Sequence, residues 1–200
     1  NLQAGDVVVL TELEHHANVV PWHILAAERG VELRWVPLGE DFRLDLSGLD
    51  RLLDGAKLFA FSAASNVLGT MTDVRALTDA AHAAGALALV DAAQFAPHRR
   101  TDVASWDADF VGVTGHKMLG PTAIGALWAR PELLDAMQPF LGGGEMIRDV
   151  RQDGFTPNEV PWKFEAGTMP IAEAVGLAAA IDYLDTLGMD DVAAHEVALT

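Results

Sequence analysis

A lysine in a loop and an aspartate closing an apolar run fall close enough in this chain to act together. Asp91 ends the run Ala86–Val90, and Lys117 follows the run Phe110–Val113. If the two runs are neighbouring parallel strands, both side chains emerge at one sheet edge, where α/β proteins gather their ligands. A lysine amine forms a Schiff base with an aldehyde, and a carboxylate keeps a pyridine nitrogen protonated so that the ring accepts electrons. Pyridoxal 5'-phosphate (PLP) is a cofactor that requires both groups. Each residue also has an ordinary reading, because an Asp at a strand end commonly caps a turn and a loop Lys is commonly a solvated charge.

The elements that must position these residues follow from periodicity. Short β-branched runs recur at Val7–Leu10, Val31–Val36, Leu58–Phe61, Ala86–Val90 and Phe110–Val113, with helical patterns between most of them. Val19–Arg29 has apolar residues at helical spacing and stops at Gly30; Val74–Ala84 begins behind Asp73 as N-cap and stops at Gly85. Each joins two strands, and such connections favour parallel pairing. The expected fold is therefore α/β, with a three-layer, mostly parallel sheet carrying helices on both faces. After Asp109 no crossover helix fits between Phe110–Val113 and Ile124–Ala129, so an antiparallel pairing is expected there, joined by Thr114–Thr122. Gly142–Pro161 reads as a long irregular loop. Ile171–Leu187 reads as a helix with Ile171, Ala174, Val175, Ala178, Ile181 and Leu184 on one face. Trp22, Trp35, Trp106, Trp128 and Trp162 are read as packing residues.

Composition narrows the function. Half of the 200 residues are hydrophobic and the mean hydropathy is +0.20, enough to bury a sizeable core. The net charge of -16 repels phosphate backbones and anionic membrane surfaces, which argues against nucleic acid and membrane as partners. The apolar runs are too short to span a bilayer and the first residues lack signal-peptide regions, so a cytoplasmic location is expected. No cysteine is present, which removes disulfides, thiolate metal sites and a cysteine nucleophile from this stretch.

Six blocks give these residues a context. Glu14-His15-His16-Ala17-Asn18, Ser65-Asn66-Val67-Leu68-Gly69, Asp91-Ala92-Ala93-Gln94, Thr114-Gly115-His116-Lys117, Gly142-Gly143-Gly144-Glu145-Met146 and Phe164-Glu165-Ala166-Gly167-Thr168 resemble, in order and spacing, the SufS-type cysteine desulfurases. The resemblance implies a PLP-dependent fold of the aspartate-aminotransferase type and an internal Schiff base on Lys117. It implies that His15 stacks on the pyridine face, Asp91 pairs with the ring nitrogen and Gln94 bonds the ring hydroxyl oxygen. Asn66 would meet the ring hydroxyl and the substrate carboxylate; Thr114 and His116 would contact the phosphate. Thr168 would reach the phosphate of a partner subunit, which implies a homodimer. His16 has no role in this scheme and reads as a surface or core histidine.

The resemblance further implies conversion of L-cysteine to L-alanine, with sulfur passed as an enzyme persulfide to an acceptor protein for iron-sulfur cluster assembly. Residues 1–187 would form the central part of the large PLP-binding domain, and residues 188–200 the start of a connection to a small C-terminal domain. The thiolate and the carboxylate-binding arginine of the family lie in that small domain, and neither is located here. Selenocysteine lyase or another class V aminotransferase-like activity shares the same machinery. An inactive interaction module on the same fold is a reading from a different class. A nucleotide site is a weaker rival: Gly115–Thr122 has the glycine spacing of a phosphate loop, but Pro121 stands where its lysine belongs. A metal hydrolase is weaker again, since no H-E-x-x-H or comparable ligand spacing occurs, and no metal is expected.

Overall fold

A computed structural model describes residues 2–200 of the chain. Its centre is a six-stranded sheet of β1 (Val7–Thr11), β2 (Glu32–Val36), β3 (Ala56–Ser62), β4 (Leu87–Asp91), β5 (Phe110–Thr114) and β6 (Gly125–Ala129), in spatial order β2-β1-β3-β4-β5-β6. The first five strands run parallel and β6 returns antiparallel along β5. The mostly parallel α/β sheet expected from the apolar runs is thus observed, with its single reversal after Asp109.

Alternation along the strands sorts the core into two faces. Val7 and Val9 of β1, with Phe59 and Phe61 of β3, join residues of α2 (Leu49–Leu53), α3 (Val74–Ala83) and α4 (Val103–Trp106) in one buried cluster. Val8, Leu10, Leu58 and Ala60 form a second cluster on the opposite face, against Trp22 and Leu25 of α1 (Val20–Arg29). Phe59 and Phe61 are fully buried, each worth about 1.5–3 kcal/mol in area removed from water. Local signals set the helix ends: Asp73 accepts a hydrogen bond from Ala76 N at the start of α3, and Gly30 takes a left-handed conformation (φ 71°) that ends α1.

Three expectations are corrected. The segment Gly142–Pro161 is not wholly irregular, because β7 (Ile147–Arg151) and β8 (Gly154–Pro157) pair as a separate antiparallel hairpin. Its strands are mostly exposed, and Ile147 and Val150 fall three apart rather than two, so no apolar alternation betrayed them; the Asp153-Gly154 dipeptide was the available turn signal. The helix α6 spans Ile171–Leu187 as expected, yet Ile171 and Val175 are exposed, and Ala180 and Leu184 are its buried residues. Among the tryptophans Trp106 is buried, while Trp128 and Trp162 are 43% and 50% exposed and do not act as core. The chain also contains α5 (Pro131–Ala136) and α7 (Met189–Leu199), the latter covering most of residues 188–200.

Candidate active site

Register places Ser62 of β3 beside Asp91 of β4, Asp91 beside Gly112 of β5, and Gly112 beside Leu127 of β6. Paired residues share a face, and alternation puts Leu89 and Asp91 on the α1 side. On this side the first turn of α1, with Pro21 and Trp22, borders a cleft of about 520 Å³ at the carboxyl ends of β4 and β5. His15, Asp91, Thr114, His116 and Lys117 all line it, together with Asn18, Trp22 and Ala93. Five of the eight site residues expected from the sequence are therefore brought together. Asn66, in the turn after β3, and Thr168, ahead of α6, are exposed; the half-buried Gln94 follows Ala93. These three lie outside the lining of the cleft.

Lys117 sits in a 3-10 turn, Gly115–Lys117, directly after β5. The loop closes on itself through Gly115 N to Ile124 O and Gly120 N to Gly115 O, both 2.9 Å. A Cβ on Gly115 would lie 2.8 Å from Ile124 Cγ2 and 3.1 Å from its carbonyl oxygen, so only glycine permits the closure. The same segment leads into the antiparallel strand β6 rather than into a helix. It therefore lacks the helix N-terminus on which a nucleotide phosphate loop depends, and that rival is set aside. The chain has three lysines. Lys57 is exposed on the amino half of β3, and the buried Lys163 donates to Leu134 O at 3.0 Å and Asp135 O at 2.9 Å. Lys117 is the one that lines the cleft.

Asp91 Oδ1 accepts from Ala93 N at 2.9 Å, which fixes the carboxylate and turns the chain at the strand end. His15 caps the 3-10 turn His16–Asn18: its Nδ1 accepts from Ala17 N at 3.1 Å. A backbone N–H can only donate, so the neutral ring carries its proton on Nε2. Thr114 Oγ1 and His116 Nδ1 lie 2.9 Å apart and hold each other at the mouth of the cleft. His16 is exposed and lies outside the lining. A larger cleft of about 640 Å³ lies toward α6 and α7, but it is lined by Arg99, Arg100, Asp185, Asp190 and Asp191 and contains no lysine.

Sequence reasoning assigned no role to Glu14, the most heavily bonded side chain near the cleft. Its carboxylate takes donors from Thr11, Asn18 and Ser62. Burial pushes it above the usual carboxylate range, against those hydrogen bonds, which pull it down. An acid squeezed between a buried strand and a histidine was the only local signal. Its partner Ser62 lies 48 residues along the chain and is supplied by the β1–β3 neighbourhood.

The parallel sheet with one antiparallel edge, and a lysine and aspartate at its carboxyl rim, define the large-domain fold of fold type I PLP-dependent enzymes. The chain belongs to the class-V aminotransferase family, whose model matches residues 1–200. It is 54% identical over 194 residues to a probable cysteine desulfurase of Streptomyces coelicolor, covering 96% of this chain and 46% of that protein. It is 50% identical over 196 residues to a cysteine desulfurase of Haloferax volcanii, covering 98% and 46% respectively. Among solved structures, the cysteine desulfurase CsdA of Escherichia coli superposes with a TM-score of 0.92 at 41% identity, over 96% of this chain and 48% of that one. The cystine C-S lyase C-DES shares the fold at a TM-score of 0.81 and 23% identity. The chain spans about half the length of the curated relatives it matches.

Proposed function

We propose that this cleft binds PLP and that the full-length protein is a cysteine desulfurase, converting L-cysteine to L-alanine and passing on the sulfur as a persulfide. The observation that carries the reading is the convergence of Lys117, Asp91 and His15 on one cleft at the ends of two adjacent parallel strands. The cleft also has room beside the carboxylate. A Cβ built on Gly112, next to Asp91 in register, meets nothing within 4 Å, and Gly112 has no positive φ that would require glycine. The residues present fit the cofactor.

Bound there, PLP supplies an electron sink that weakens bonds at the α-carbon of an amino acid. Lys117 would hold the cofactor through Nζ, and the same amine could carry a proton at the reacting carbon. Asp91 would keep a proton on the ring nitrogen, since a carboxylate beside it favours the charged form. His15 would cover the ring face, with Nε2 left to carry a proton because Nδ1 accepts from Ala17 N. Thr114 and His116, which line the cleft, would hold the phosphate; Gln94 and Asn66, outside its lining, would serve the ring hydroxyl, and Thr168 a phosphate in the second subunit of a homodimer. Residues 1–187 act as the central part of the cofactor domain, and residues 188–200 lead toward a further domain.

The sulfur-accepting thiol must come from outside these 200 residues, which contain no cysteine. The persulfide is then delivered to an acceptor protein for iron-sulfur cluster assembly in the cytoplasm. No helix among the described residues is long and apolar enough to cross a membrane. The test is alanine and persulfide formation from L-cysteine by the full-length protein with added PLP, against a control of PLP alone. Turnover no faster than that control refutes the proposed activity.

A further inference from the structure

The turn between β1 and α1 carries His15, and a carboxylate with no place in the proposed chemistry holds that turn to the sheet. Glu14 Oε1 accepts from the Thr11 hydroxyl at 2.5 Å and from Ser62 N at 2.9 Å. Its Oε2 accepts from Asn18 Nδ2 at 2.7 Å and from the Ser62 hydroxyl at 2.8 Å. The Thr11 oxygen already accepts from Leu13 N at 3.2 Å, so its proton is directed at Glu14. With its amide nitrogen on Glu14, Asn18 turns its oxygen toward Trp22, whose Nε1 donates at 3.1 Å. One chain of hydrogen bonds thus runs from Ser62, the register neighbour of Asp91, through Glu14 and Asn18 to Trp22 in the cleft wall.

Local structure alone holds this segment weakly. The 3-10 turn His16–Asn18 is a single short turn, closed by Asn18 N to His15 O at 2.8 Å and Val19 N to His16 O at 3.1 Å. Neither bond reaches the sheet. Glu14 does, through two bonds to Ser62, and His15 is the next residue along the chain.

We infer that Glu14 is a positioning residue for His15, clamping the turn Thr11–Asn18 to the end of β3 so that the imidazole is held at the mouth of the cleft. Its effect on turnover rests on the proposed PLP reading; its effect on the turn does not. Removing the carboxylate leaves four donors without their acceptor in a largely buried place, so the turn must open to let water reach them. Glu14→Gln keeps the shape but sets an NH2 group against two donors. Ser62 can rotate to accept from it, whereas Asn18 must flip and abandon Trp22, so this milder variant loosens the turn while the fold is retained.

Two measurements on the full-length protein decide the matter. In the cofactor-free protein, Glu14→Gln should speed amide hydrogen exchange at Asn18 and Val19 about tenfold or more, with Phe59–Phe61 of β3 unchanged. In the loaded protein, Glu14→Gln should lower kcat roughly tenfold with KM within about twofold, and cost less than about twofold more when added to His15→Ala. Unchanged exchange at Asn18, or the same loss of kcat with and without the His15 ring, overturns the inference. A wild-type protein that binds no PLP would refute the proposed function instead, and the exchange measurement would still decide the role of Glu14.

Discussion

Asp91 and Gly112 lie side by side in register on β4 and β5, so the carboxylate of one strand faces open space where its neighbour has no side chain. From Gly112 the chain passes through Thr114 to the tight turn that carries Lys117. The strand that leaves room for a ligand is therefore the strand that delivers the amine to it. The proposed roles of the two residues can be separated by substitution.

Lys117→Ala should abolish the borohydride-reducible PLP adduct of the full-length protein. Neither other lysine of these 200 residues is placed to replace it: Lys57 is exposed on the amino half of its strand, and the Lys163 ammonium is bound to two carbonyl oxygens. Peptide mass spectrometry after reduction reads the outcome. An adduct of wild-type yield on any other lysine would remove Lys117 from the site.

Asp91→Asn should leave PLP bound, because the amide oxygen can still accept from Ala93 N as Oδ1 now does. Turnover should fall on the order of 10²-fold, since a neutral amide no longer stabilises a protonated ring nitrogen. Cofactor absorbance and steady-state rates with L-cysteine measure the two effects separately. Full turnover in this variant would make Asp91 a turn residue only.

Lys163→Met should destabilise the fold without touching the cleft. Lys163 is 8% exposed, and its ammonium satisfies the carbonyls of Leu134 and Asp135 near the end of α5. Methionine fills the volume but leaves both carbonyls unmet, at a cost of about 1–3 kcal/mol. Thermal or urea unfolding should show that loss, while PLP affinity stays at the wild-type value. Equal stability would mean that water replaces the ammonium at no cost.

Acid should loosen α7. Glu196 accepts from His98 Nδ1 at 2.5 Å and from Arg99 Nη1 at 2.7 Å, and these bonds, His98 first, hold its carboxyl below the ordinary value of 4.5. A carboxyl lowered in the folded state stabilises above its ordinary value, and that contribution is lost as pH falls through the lowered one. Since α7 has no buried residue of its own, the tether matters to its order. Hydrogen exchange along Met189–Leu199 should therefore accelerate more on acidification in the wild type than in Glu196→Gln, where the pH-dependent bond is already gone. Identical pH profiles for the two proteins would show that Glu196 does not anchor the helix.

The sequence by itself determined the strand runs, the α1 and α3 boundaries and the break in the parallel repeat after Asp109. All of these rest on interactions within a few residues: side-chain period, caps at Asp73 and Gly30, and the lack of room for a crossover helix. It also marked Lys117 and Asp91, because each sits where a strand or the loop after it ends, whereas His15 was marked only by the resemblance of its block to a known family. Only the tertiary structure decided which marked residues share a cleft, since register across β3, β4 and β5 sets who neighbours Asp91. Only it showed that Ile171 and Val175 on α6 are exposed, because periodicity reveals an apolar face but not whether anything in the chain covers it. The hairpin β7–β8 escaped for a related reason: exposed strands owe little to apolar alternation. Glu14 shows the limit most plainly. Its carboxylate is legible as a charge in the sequence, but its burial depends on Ser62, and nothing local to Glu14 brings that residue near. Parallel pairing of β1 with β3 does so, a long-range contact whose physical basis is the packing of the whole sheet.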